Sequence, residues 1–167
     1  MTHVRHQLSL FLPPGDFATQ VERVRHAVDP VQSALIAAHV TLCREDELSD
    51  AHAAERRIAN EKPEPIALRF GRVEAFHGHG LLLPCTDGQD EFHRLRQRIL
   101  GRTDIRTQEP HITLAHPRNP RAPGNSLAVA SALAEGVVVV FSSIRLIRQD
   151  GAAPWQTLRA YDLRDPG

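Results

Sequence analysis

The tetrapeptide His39-Val40-Thr41-Leu42 returns in the second half of the chain as His111-Ile112-Thr113-Leu114, and this recurrence constrains the chain more than any other feature. Two further words recur at nearly the same offset. Leu10-Phe11-Leu12-Pro13 resembles Leu81-Leu82-Leu83-Pro84, and Phe70 matches Phe141. The Leu-Pro word also precedes the histidine word by nearly the same interval in each half, from Pro13 to His39 and from Pro84 to His111. A period this long is no solenoid, whose repeats run about 20–50 residues. It describes one lobe made twice, each supplying strand, helix, histidine strand, helix and strand. The expected organisation is a single bilobal domain over residues 1–167, with repeats at roughly 1–76 and 77–150 and a closing strand at 155–163.

The remaining pattern fits that plan. Strands are expected at about 7–12, 37–43, 66–76, 80–85, 110–116, 137–148 and 155–163, and helices at 16–28, 44–61, 89–100 and 125–134. Phe92, Leu95 and Ile99 recur at helical spacing after Gly88, while Val137 to Phe141 is a β-branched run of the kind that forms buried strands. Helices alternate with strands, so the class is α/β or α+β. The 20 basic residues balance 20 acidic ones. A zero net charge argues against gripping long stretches of phosphate backbone by bulk charge, but leaves room for a local pocket holding one or two phosphates. Two cysteines make no disulfide framework. The apolar stretch Leu8 to Leu12 is too short for a membrane span or a signal peptide. A cytoplasmic monomer with no membrane partner is the expectation.

On a strand, residues i and i+2 share a face. His39 and Thr41 therefore point one way while Val40 and Leu42 point to the core, and His111 and Thr113 repeat the arrangement. If the lobes pack about a pseudo-twofold axis, both pairs converge on one cleft. Such a quartet suits acid–base catalysis at phosphorus. A neutral imidazole takes a proton from water, an imidazolium protonates the leaving oxygen, and threonine hydroxyls hold the non-bridging oxygens. No metal or other cofactor is required. With both imidazoles near the ordinary 6.5, the turnover profile would be bell-shaped around neutral or mildly acidic pH.

The twin words resemble the H-x-T/S-x motifs of the 2H phosphoesterase superfamily, and most closely its bacterial 2′-5′ RNA ligase/2′,3′-cyclic phosphodiesterase branch. The resemblance extends to length and two-lobed order. It implies an α+β fold, bilobal and duplicated, with two antiparallel sheets around a central groove and helices outside. It further implies metal-independent hydrolysis of the 2′,3′-cyclic phosphates of RNA ends or small nucleotides, usually to 2′-phosphates. Some relatives join RNA through 2′-5′ bonds, or cleave such bonds. His111 is then the water-activating base and His39 the acid. Where that branch often has Ala-Arg after its second motif, this chain has Ala115-His116, with Arg118 two positions later. His116 either replaces a cationic contact or lies in solvent. Cys43-Arg44-Glu45 likewise departs from the usual continuation of the first motif.

Other residues carry weaker signals. Phe11 could stack a base or pack in the core. Cys43 shares the parity of His39 but reads as a small buried apolar residue. His77 and His79 could ligate a metal, yet their glycine neighbours suggest a turn. Arg94, Arg96 and Arg98 read as a mostly solvated helix face. The competing functions are an RNA- or nucleotide-binding module without turnover and a phosphoesterase for a non-RNA cyclic phosphate.

Overall fold

Alternation between apolar and polar residues builds the strands, and 3.6-residue periodicity builds the helices between them. The computed structural model describes residues 3–76, 80–117 and 127–165. In chain order the elements are β1 (Val4–Phe11), α1 (Asp16–Val28), α2 (Pro30–Leu35), β2 (His39–Cys43) and a 3-10 turn (Glu45–Glu47). They continue with α3 (Ala51–Glu61), β3 (Ile66–Phe70), β4 (Glu74–Ala75), β5 (Leu81–Asp87) and α4 (Gln89–Leu100). The last are β6 (His111–Ala115), α5 (Leu127–Ala130), β7 (Val137–Phe141), β8 (Ser143–Asp150) and β9 (Gln156–Asp162). In β3, Ile66, Leu68 and Phe70 are buried while Ala67 and Arg69 are exposed. Phe92, Leu95 and Ile99 turn inward from α4 as their spacing predicts.

Several elements differ from the expectation: the strand expected over 66–76 is β3 and the separate β4, and the helix expected over 125–134 is helical at Leu127–Ala130, its first two residues lying outside the described ones. The helix expected over 44–61 starts only at Ala51, behind a separate 3-10 turn, because the Asp50 side chain caps it by accepting from the Ala53 N–H. Helix α2 is an addition to the expected set, although Asp29-Pro30 is a helix-start signal. Asp29 accepts from the Gln32 N–H, and proline occupies the first helical position.

All strand pairs are antiparallel, and the path runs β7-β3-β5-β6-β2-β1-β8-β9, with β4 paired beside it on β5. The fold is therefore α+β, with helices packed on a continuous antiparallel path. That path is strongly curled. The strand expected over 137–148 is two strands, β7 and β8, separated by Ser142 alone yet six places apart in the path. A flat sheet would hold them roughly 29 Å apart at about 4.8 Å per strand, which one residue cannot span. Curling brings the two halves of the path together so that the chain can step between them.

Positions along the path mirror each other about the β6–β2 junction: β5 with β1, β3 with β8, β7 with β9. At the junction Val40 pairs with Ile112, its own counterpart in the repeat. Antiparallel pairing of equivalent residues is what a local pseudo-twofold axis produces. The Phe70/Phe141 recurrence has a different origin. Strands β3 and β7 pair with each other on one side of the junction, and the two rings meet edge to face at 6.4 Å. The helices cross the junction, α1 packing on β6 and α4 on β2.

Candidate active site

Strands β2 and β6 have the same burial sequence: half-buried histidine, buried aliphatic, half-buried threonine, then two buried residues. Val40, Leu42, Ile112 and Leu114 are fully buried and anchor the strands to the core. The Val40–Ile112 register sets His39 opposite Thr113 and Thr41 opposite His111. The two histidines thus occupy diagonal corners of a rectangle, the diagonal neighbours of an antiparallel pair, which stand roughly 7–8 Å apart. All four side chains line one cavity of about 590 Å³. That size suits a small-molecule ligand.

Each imidazole is fixed in the same way. His39 Nδ1 lies 2.8 Å from the Ala37 carbonyl and His111 Nδ1 lies 2.9 Å from the Glu109 carbonyl. A carbonyl only accepts, so each Nδ1 carries the proton and each neutral ring keeps its lone pair on Nε2. A phenylalanine supports each ring, Phe11 at 5.5 Å from His39 and Phe76 edge-on at 5.6 Å from His111. Thr41 Oγ1 accepts from Gln7 Nε2 at 3.1 Å, which leaves its hydroxyl proton to donate elsewhere. Gln108 Nε2 donates to the Thr41 carbonyl at 2.6 Å.

His39 departs from the ordinary value. Burial pushes its pKa down to about 4; the Arg25 charge and the neighbouring histidines add to the effect, while the Ala37 hydrogen bond opposes it. His39 is therefore neutral in the empty cleft at pH 7. The expectation of two imidazoles near 6.5 fails at this residue, because a strand histidine loses solvation that the sequence does not reveal.

The junction carries only one registered pair, and two buried arginines reinforce it. Arg25 is 1% exposed and Arg96 is 0% exposed. Their offset in the chain is that of Leu10 and Leu81, so they stand at equivalent positions of the repeat. Arg25 on α1 donates through Nε to the Thr113 carbonyl at 3.2 Å and through Nη2 to the Ile36 carbonyl at 2.8 Å. Arg96 on α4 donates through Nε to the Leu42 carbonyl at 2.9 Å, and its guanidinium pairs with Glu47. Each arginine starts beside one motif and grips the strand of the other. Glu22 extends the first clasp, pairing with Arg25 and accepting from the Ala38 N–H beside His39.

Arg96 thus corrects the reading of the α4 arginines as a solvated face; only Arg94 and Arg98 are exposed there. Phe11 is absent from the cavity lining and contacts Arg145 on β8 as well as His39. His116 lines the cavity, and its backbone N–H donates to Asp29 at 2.9 Å. Arg118, His77 and His79 lie outside the described residues. Cys43 is buried and its thiol is pushed up to about 12 by loss of solvation, which makes it a core residue. Among the described residues no group of three or more metal-ligating side chains converges, and no helix is long and apolar enough to cross a membrane. Phe76, Gln7, Gln108, Arg5 and Trp155 also line the cavity and had no distinguishing sequence signal.

No curated protein matches the chain in sequence. Among solved structures, E. coli LigT complexed with NADP+ superposes with a TM-score of 0.66 at 15% identity, covering 96% of this chain and 98% of LigT. LigT complexed with ATP gives 0.62 at 16% identity and LigT complexed with phosphate 0.63 at 14%, with the same coverage. These likenesses establish the fold. The sequence profile of the 2′-5′ RNA ligase superfamily matches residues 13–153, which includes both histidine strands. The chain belongs to the 2′-5′ RNA ligase superfamily, a group of 2H phosphoesterases and ligases.

Proposed function

We propose that the protein is a metal-independent phosphoesterase that opens 2′,3′-cyclic phosphates of RNA ends or nucleotides, with His39 and His111 as its acid–base pair. The observation that carries the reading is the diagonal placement of two Nδ1-anchored imidazoles across a single paired junction in one cavity. In-line displacement at phosphorus needs a proton acceptor on the side of the entering oxygen and a donor on the opposite side. Diagonal corners supply both. Water loses a proton to one histidine as its oxygen bonds to phosphorus. The P–O3′ bond breaks as the other histidine protonates O3′, leaving a 2′-phosphomonoester. A 5′-hydroxyl in place of water gives a 2′-5′ linkage by the same steps. Thr41 and Thr113 donate to the non-bridging oxygens.

The role order implied by the family resemblance makes His111 the base and His39 the acid. His39, neutral in the empty cleft, then acquires its proton when the phosphate arrives. A monoanion about 4 Å away contributes roughly 4 kcal/mol at an effective dielectric constant of about 20. That offsets the roughly 3 kcal/mol that holds the pKa near 4 in place of 6.5. His116 on the cavity wall supplies a further contact to the anion. The nucleotide and phosphate complexes of LigT are consistent with this substrate class. The test is turnover of cyclic nucleotides, cyclic-phosphate-ended RNA and 2′-5′-linked dinucleotides in the presence of EDTA. Binding without turnover of every substrate would replace the enzyme by a binding module.

A further inference from the structure

Proton transfer and phosphate binding leave one part of the cavity wall unexplained. Arg5 and Gln7 lie two residues apart on β1, so their side chains share a face about 7 Å apart along the strand. Gln7 reaches Thr41 Oγ1. Arg5 donates to the Gln149 side-chain oxygen, and its guanidinium lies 5.1 Å from the centre of the Trp155 ring. Gln149 is itself buried, and its Nε2 donates to the Ala153 carbonyl at 2.8 Å. The Trp155 backbone N–H donates to the Leu35 carbonyl at 2.9 Å, tying the β8–β9 loop to the end of α2. Trp155 is half-buried and lines the cavity together with Leu35 and Ile36. An aromatic–cation pair, with Arg5 tied to Gln149 and the Trp155 backbone tied to Leu35, therefore stands one strand repeat from the glutamine that holds Thr41.

We propose that Trp155 and Arg5 form a nucleobase-stacking platform, and that the ligand's base lies over it with the ribose spanning the interval to Thr41. The inference rests on the phosphoesterase reading and narrows its substrate to phosphates that carry a base. Every nucleobase has a π-face, so the platform selects base-bearing over base-free ligands and discriminates weakly among the bases. Arg5 contributes through its fixed plane and charge, since one of its nitrogens is already committed to Gln149.

Trp155 is the single tryptophan of the chain, so its fluorescence reports this wall directly. Adenosine 2′-monophosphate added to the unmodified protein should quench the emission saturably, and inorganic phosphate should not. Calorimetry should show the nucleotide binding about 5- to 150-fold more tightly than methyl riboside 2-phosphate, the worth of one base–aromatic stack. That ratio should fall toward one in Trp155→Ala and be largely kept in Trp155→Phe. Because these are binding measurements, saturable quenching and a collapsing ratio would uphold the platform even if no cyclic phosphate were turned over. Absence of saturable quenching, or an unchanged ratio in Trp155→Ala, would overturn it.

Discussion

Lowering the pH from 7 to 4 should destabilise the fold through His39 by about 3 kcal/mol. The imidazole titrates near 4 in the folded chain against 6.5 in the unfolded one, and each tenfold in proton affinity is worth about 1.4 kcal/mol. Between these values the unfolded state binds a proton that the folded state refuses, so stability rises with pH across the window. Above about 6.5 both states are neutral and the penalty vanishes; below about 4 both are charged and it is complete. Urea unfolding at intervals from pH 7 to 4, on the native chain and on His39→Ala, isolates the effect because carboxylate titrations are common to both. The native curve should steepen relative to the variant by about 3 kcal/mol over the window. The same ring, followed by NMR, should titrate near 4 alone and move upward when uridine 2′-monophosphate is bound. Parallel stability curves, or a free-state titration at 6.5, would refute the desolvation argument. A bound-state value still near 4 would remove the acid role from His39.

Replacing either His39 or His111 by alanine should lower kcat by roughly 10²–10⁴-fold, as measured on a nucleoside 2′,3′-cyclic phosphate. Thr41→Val and Thr113→Val keep the shape and remove the hydroxyl; each should reduce kcat/KM, and unchanged kinetics in a folded variant would reject phosphate contact. Because kcat/KM reports the free enzyme, His39 should appear in that profile as a limb near pH 4 and not near 6.5. Glu47→Ala should cost about 3–5 kcal/mol in urea unfolding, because it leaves the buried Arg96 charge without its carboxylate. Activity of the native protein should survive exhaustive chelation, checked by the same turnover assay in EDTA.

Much of this was legible without coordinates because it depends on local periodicity. Two-residue alternation placed His39 with Thr41 and His111 with Thr113, and the recurrence of the tetrapeptide made the two strands equivalents. The bounds of α1 and α4 follow from helical spacing and match the expectation to the residue. What tertiary structure alone decided concerns groups that meet across long separations. The curl of the sheet turns one expected strand into β7 and β8, and no local pattern records which neighbour each will pair with. Arg25 and Arg96 carry charges that a sequence reading assigns to solvent; only the crossing of α1 onto β6 and α4 onto β2 gives them buried carbonyls to bind. The depressed pKa of His39 is likewise a sum over burial and charges drawn from α1, β6 and His116 just beyond it. Bonds along the chain set which face a side chain takes, and so the sequence records it, whereas the electrostatics of that side chain depend on what the fold brings against the face.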